Sequence, residues 1–137
     1  MKKYIKLFPM LLGYAVSNFG NVKSLEKKKR HVSRNNGKER MLTLKEKILK
    51  PSKDALGYVH VRLRVNGKYL LKKVHILVAE MFLGYTSAFK GNNRRPDTLV
   101  VQHIDHDKIN NKLENLRIVQ FRKVLQDYWE YKRSQKA

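Results

Sequence analysis

Cysteine is absent from the 137 residues. That excludes disulfides, thiolate zinc sites and cysteine nucleophiles. Any metal must therefore be held by His, Asp, Asn, Gln or water, the donor set of a magnesium-type or His-assisted site. Acidic residues are scarce, 11 Asp+Glu against 31 Lys+Arg, and the resulting formal charge of +20 exceeds what solubility requires. Both halves of the chain share this excess, so a polyanion is the expected partner along its whole length. Also missing are an apolar run of about 18 residues and a sustained basic amphipathic helix. A membrane is thus the weaker polyanion and nucleic acid the stronger. The opening "MKKYIKLFPMLLGYAV" has the lysine-then-apolar order of a short signal peptide. Lys6, Pro9 and Gly13 interrupt it and no small-residue cleavage site follows, so it reads as mature structure.

The length suits one compact domain, or a small domain with an arm. Residues 1–56 read as a strand module with a basic arm, and residues 57–137 as a hairpin, a short helix and a final ββα unit. Around "SNFG" the alternation in residues 10–25 predicts two short strands and a turn. From Glu26 to Lys47 apolar periodicity is lost and "EKKKRHVSRNNGKER" predicts a mobile basic arm, with Lys27, Lys28, Lys29 and Arg30 as phosphate contacts. Order returns at Val59, where Val59, Val61 and Leu63 alternate with His60, Arg62 and Arg64. Asn66-Gly67 supplies a type I′ turn, and Tyr69 to Lys73 return. The alternation gives this hairpin one basic face, and Arg62, Arg64, Lys72 and Lys73 are expected to contact phosphate rather than base edges.

Val74, Leu77, Val78, Met81 and Phe82 recur at helical spacing, so a helix packs on the hairpin. His75, beside that stripe, reads as a packing residue. A loop rich in Gly, Asn, Ser and Pro follows, with Arg94 and Arg95 available for phosphate. Leu99 to Gln102 is then a strand, residues 105–115 a polar loop, and Arg117 to Gln120 a returning strand. The C-terminal segment is helical, with Phe121, Val124, Leu125 and Tyr128 as its expected buried stripe.

Three segments of this chain resemble the HNH homing endonucleases of phages and introns. "VVQHIDHDKINNKLENLRIV" resembles their core, a hydrophobic-x-His-Ile-Asp strand end followed by NN-x-L-E-N-L-R. "VHILVAEMF" is similar to the helix that precedes that core, and "GYAVSNFGNVKSL" to an N-terminal module of these proteins. The resemblance implies an α+β fold, a small ββα-metal (His-Me finger) core preceded by β-hairpins and a short helix. It also implies a double-stranded-DNA partner, a mobile-element or phage origin and a cytoplasmic location. RNA, or a larger nucleoprotein assembly, is a partner class that charge alone leaves open.

By the same resemblance His103 is the general base and Asn115 the asparagine that organises the loop, with Mg2+ or another divalent cation as cofactor where the protein cuts. The metal positions depart from the family. Gln102 stands where the family has Asp or Asn, and Val124 falls on the ligand position of a T-x-x-E-N pattern. A neutral amide and an alkyl chain within so basic a protein imply a weakened metal site. Asp105 and Asp127 are the candidate substitutes, and Asp127 lies one helical turn beyond Val124. Asn110 and Asn111 read as loop-formers. His106, where the family often has Gly, reads as an exposed residue touching phosphate or solvent. The expectation is a DNA-binding protein with an impaired metal site, ahead of an active nicking enzyme.

Overall fold

The computed structural model describes residues 4–6, 13–86 and 98–136. Arg94 and Arg95 lie outside the described residues. The first sheet contains β1 (Tyr4–Lys6), β2 (Tyr14–Ser17) and β3 (Val22–Ser24). β2 and β3 are the two strands expected around "SNFG", paired antiparallel as Tyr14↔Ser24 and Val16↔Val22. Ser17 closes their turn, its hydroxyl accepting from the backbone N–H of Phe19 and Asn21 at 3.2 and 3.0 Å.

β4 (Lys27–Val32) and β5 (Glu39–Leu44) correct the expectation of a mobile arm, because they form an antiparallel two-stranded ribbon. Its register sets Lys27 and Lys29 across from Leu44 and Leu42, and Arg30 across from Met41. The methylene stems of the basic residues can thus cover apolar partners while the charges stay in water. Single apolar residues on each face gave no helical period and too weak an alternation to mark strands. Arg30 also pairs with Glu39 across the ribbon, and the Asn35-Asn36-Gly37 segment makes the turn, with Gly37 at φ +67°. Lys27 to Arg30 therefore point alternately to two exposed faces.

β6 (Lys47–Ile48) joins the first sheet beside β3, and β7 (Ser52–Lys53) opens a second sheet with β8 (Val59–Val65) and β9 (Lys68–Lys73). Asn66 at φ 51° and Gly67 at φ 77° give the expected type I′ turn. Cross-strand pairing puts Arg62, Arg64 and Lys73 on one face, opposite Leu71, Tyr69 and His60. Lys72 faces the other way, beside Val61. The four expected phosphate contacts of this hairpin are therefore divided between its two faces, since neighbours along a strand alternate.

α1 (Val74–Phe82) buries the predicted stripe, with Val74, Leu77 and Val78 at 1% exposure or less. They pack with Tyr14, Val16, Val22, Val61, Leu63 and Leu116 in one cluster that draws on both sides of residue 56. Truncating a fully buried member such as Leu63 to Ala would cost about 2–5 kcal/mol. Tyr14 reaches the second sheet as well, its hydroxyl accepting from the Arg64 N–H at 2.8 Å.

β10 (Leu99–His103) and β11 (Leu116–Gln120) pair antiparallel, and α2 (Phe121–Gln135) follows directly. None of the described residues of α2 is buried. Its expected stripe is wrong in part: Leu125 and Tyr128 are 43% and 46% exposed, while Phe121 and Val124 are half-covered. Among the described residues, Leu125 and Tyr128 meet no surface that buries them. No helix among the described residues is long and apolar enough to cross a membrane.

Candidate active site

His103 ends β10 and is 7% exposed. Its Nε2 lies 2.7 Å from Asn111 Oδ1. An imidazole donating Nε2–H to that oxygen keeps its lone pair on Nδ1, the arrangement a general base needs. Asn111 was expected only to form the loop, so its contact with His103 is a site role that sequence reasoning missed. The backbone around Asn111 is held by the first hairpin. A Cβ on Gly20, which sits at φ +83°, would stand 2.9 Å from the Asn111 carbonyl oxygen. Leu113 N–H also donates to Asn18 O at 2.8 Å. The absence of a side chain at residue 20 is what lets the turn approach so closely.

Asn115 sits at the centre of the loop's hydrogen bonds. Its amide donates to Asp105 Oδ1 and to Asn110 O, both at 2.8 Å, and its Oδ1 accepts from the Asp105 N–H at 3.1 Å. The Asp105 carboxylate is consumed by the same network, accepting also from Asp107 N–H and from Asn110 Nδ2 at 2.8 Å. The hydrogen bond from Asn110 and those from the Asp107 backbone and Asn115, with the charge of His103, hold this carboxyl below its usual range against the opposing desolvation. Asp105 is thus a loop strut. His106 adopts φ 63° and stacks on Tyr131, ring centroids 5.0 Å apart. Its exposure matches expectation, and the left-handed backbone there explains why a glycine would suit the position.

Behind His103 lies His75, ring centroids 4.8 Å apart, with Tyr58 stacked on His75 at 5.3 Å. Burial first, then the charges of His103 and Lys73, lower the His75 pKa to about 3. Its buried Nδ1 has no hydrogen-bond partner among the described residues. The ring is therefore a neutral packing surface at physiological pH, as its place on the helix stripe suggested. Tyr58 in turn lies under two ammonium groups, Lys73 Nζ at 4.7 Å and Lys108 Nζ at 4.8 Å from its ring centre. Basic charge therefore gathers close to the His103 pocket.

The position that the sequence resemblance assigns to a metal holds a different chemistry. Gln102 and Arg117 are direct cross-strand partners, so their side chains share a face. Arg117 Nε donates to Gln102 Oε1 at 2.8 Å, and Gln102 Nε2 donates to Asp127 Oδ2 at 2.9 Å. Arg117 also pairs with Asp127 Oδ2 at 3.0 Å, and Lys123, one turn earlier on α2, pairs with Oδ1 at 2.9 Å. The hydrogen bonds from Lys123 and Gln102, followed by the charges of Lys123 and Arg117, pull the Asp127 carboxyl below its usual range, again against desolvation. Spacing brought Asp127 to Gln102 as expected. It did not anticipate that both carboxylate oxygens would be taken by cations.

A divalent ion does not fit this donor set. Gln102 and Asp127 have their oxygens committed, and among the described residues no group of three or more His, Cys, Asp or Glu could hold a metal. Two cations and one carboxylate leave a net positive charge. An ion about 4 Å from each would meet net repulsion on the order of 8 kcal/mol at an effective dielectric of about 20. Arg117 and Lys123 are visible in the sequence as the cross-strand partner of Gln102 and the i−4 neighbour of Asp127.

Comparison with known proteins agrees with this reading of the fold. Residues 3–64 match the NUMOD4 motif, and residues 72–124 match the HNH endonuclease model. Among solved structures, the chain is similar to that described as "DNA binding and cleavage by the HNH homing endonuclease I-HmuI", with 27% identity and a TM-score of 0.64. The match covers 98% of this chain and 64% of that one, so this chain spans about two thirds of its structural relative. No curated protein matches. The chain thus carries an N-terminal NUMOD4 motif and an HNH endonuclease domain around His103, in a fold similar to that of an HNH homing endonuclease.

Proposed function

We propose that this protein binds double-stranded DNA, lays a phosphate beside His103, and has an impaired divalent-cation site. The observation that carries the impairment is Asp127, the carboxylate nearest Gln102, held by Arg117 and Lys123. DNA as the partner rests on the likeness to I-HmuI, whose structure is described by its binding and cleavage of DNA. The net charge of +20, the two-faced ribbon carrying Lys27 to Arg30, and the Arg62–Arg64–Lys73 face supply phosphate contacts. RNA or a nucleoprotein assembly rests on charge alone. The workplace is the cytoplasm of a bacterial or phage-infected cell, by family resemblance.

One observation favours a second reading, an active nicking enzyme. The His103–Asn111 pair and the Asn115–Asp105 lattice keep the geometry that orients a general base. Plasmid nicking, with magnesium or manganese titrated in, separates the two. Duplex binding without nicking, and nicking gained by the double variant Gln102→Asp, Val124→Asn, supports the binding protein. Wild-type nicking that disappears in His103→Ala refutes the impairment. Tighter binding of matched RNA than of duplex DNA would refute both.

A further inference from the structure

The Gln102–Arg117–Asp127–Lys123 cluster has the form of an anion site. One carboxylate, 12% exposed, braces two cations whose side chains are 42% and 45% exposed. The bonds described for the Arg117 guanidinium, from Nε to Gln102 and from Nη2 to Asp127, use two of its five N–H groups. The Lys123 ammonium gives one of its three to Asp127 Oδ1. Donors therefore remain on both, and the shared carboxylate fixes their spacing at little cost in side-chain freedom. The assembly keeps a net positive charge, on β11, α2 and the strand β10 that ends at His103.

We propose that Arg117 and Lys123, braced on Asp127, take the place of a divalent ion at this site and hold a nucleic-acid phosphate directly. The proposal deepens the DNA-binding reading and rests on it for the identity of the polymer. It goes further in naming two residues and in making the contact independent of metal. Arg117 is suited to a forked contact with two phosphate oxygens, and Lys123 to a point contact with a third. Asp127 is a positioning residue in this arrangement.

Two measurements on the full chain test it. Duplex affinity is measured against salt, in chelator and in magnesium at matched ionic strength, for wild type, Arg117→Gln and Lys123→Gln, each checked for an unchanged thermal midpoint. The expected result is equal wild-type affinity in both buffers, with each variant flattening the slope of log K against log salt by about 0.9. Variants that keep the wild-type slope overturn the phosphate contact. A tenfold gain in wild-type affinity with magnesium, lost in Asp127→Asn, overturns the metal replacement.

The second measurement uses inorganic phosphate and nitrogen-labelled protein, following the Arg117 Nε–H resonance by NMR. Saturable movement in wild type, weakened at least threefold in Lys123→Gln, is expected. No movement, or movement that ignores residue 123, overturns the site even where DNA binds elsewhere. If duplex DNA fails to bind while the phosphate result holds, the DNA reading falls and the anion site stands.

Discussion

His75 should make the protein acid-sensitive at a pH where Asp105 and Asp127 are still silent. The group ordinarily titrates near 6.5, and burial against His103 and Tyr58 lowers it to about 3 in the folded protein. The unfolded chain therefore binds a proton between these values that the folded chain refuses. Stability is fully present above about pH 6.5 and falls as pH drops toward 3. At about 1.4 kcal/mol per unit, acidification from pH 7.5 to pH 4.5 should remove roughly 2–3 kcal/mol on this account. Asp105 and Asp127, both held below their ordinary values, add their losses only at lower pH. The perturbation is His75→Phe, which keeps a flat ring and removes the titrating nitrogen and the unpaired Nδ1. Urea unfolding at pH 7.5, 6.0, 5.0 and 4.5 gives the two stability curves. Wild type should lose the stated amount relative to the variant, with the gap opening below pH 6.5. Parallel curves would refute the burial argument, and a gap that widens with rising pH would reverse its sign.

Gly20→Ala puts a methyl group 2.9 Å from the Asn111 carbonyl oxygen at φ +83° and should cost about 1–3 kcal/mol in urea unfolding, whereas Gly67→Ala, with nothing within 4 Å of its Cβ, should cost only the backbone part. Asn111→Ala leaves a buried imidazole nitrogen without its acceptor, an expected loss of about 1–3 kcal/mol accompanied by disappearance of a downfield Nε2–H proton signal from His103; Asn111→Asp should retain the signal. On the second sheet, Arg62→Ala together with Arg64→Ala should flatten the salt dependence of duplex binding by up to about 1.8 in slope, while Lys72→Ala, on the opposite face, should leave it nearly unchanged.

What the sequence disclosed follows the strength of local patterns. The Asn66-Gly67 turn requires two positive φ values that few other pairs accept, and α1 carries five apolar residues at one spacing, so both were legible. The β10–loop–β11 unit was legible because its motif carries the loop's own hydrogen-bonding residues, among them Asp105 and Asn115. The ribbon was not, because its strand signal lies in pairs such as Arg30 with Met41, which become neighbours only after the chain turns back. The outer stripe of α2 misled for the reverse reason, having helical spacing but, among the described residues, no neighbouring surface that buries it. At the site, spacing placed Asp127 near Gln102 but was silent on occupancy. That depended on Arg117, brought in from the opposite strand.

The close approach of Gly20 to Asn111 turns the N-terminal turn into a gauge for the reaction loop. Two pieces of chain some ninety residues apart in sequence share a van der Waals boundary with no side chain to act as padding, so their relative placement has almost no tolerance. Exchange of the N-terminal motif between relatives would therefore transplant a spacer as well as a basic surface. Chimaeras joined anywhere between the two should keep a well-placed His103 only when the incoming turn carries glycine at its tip.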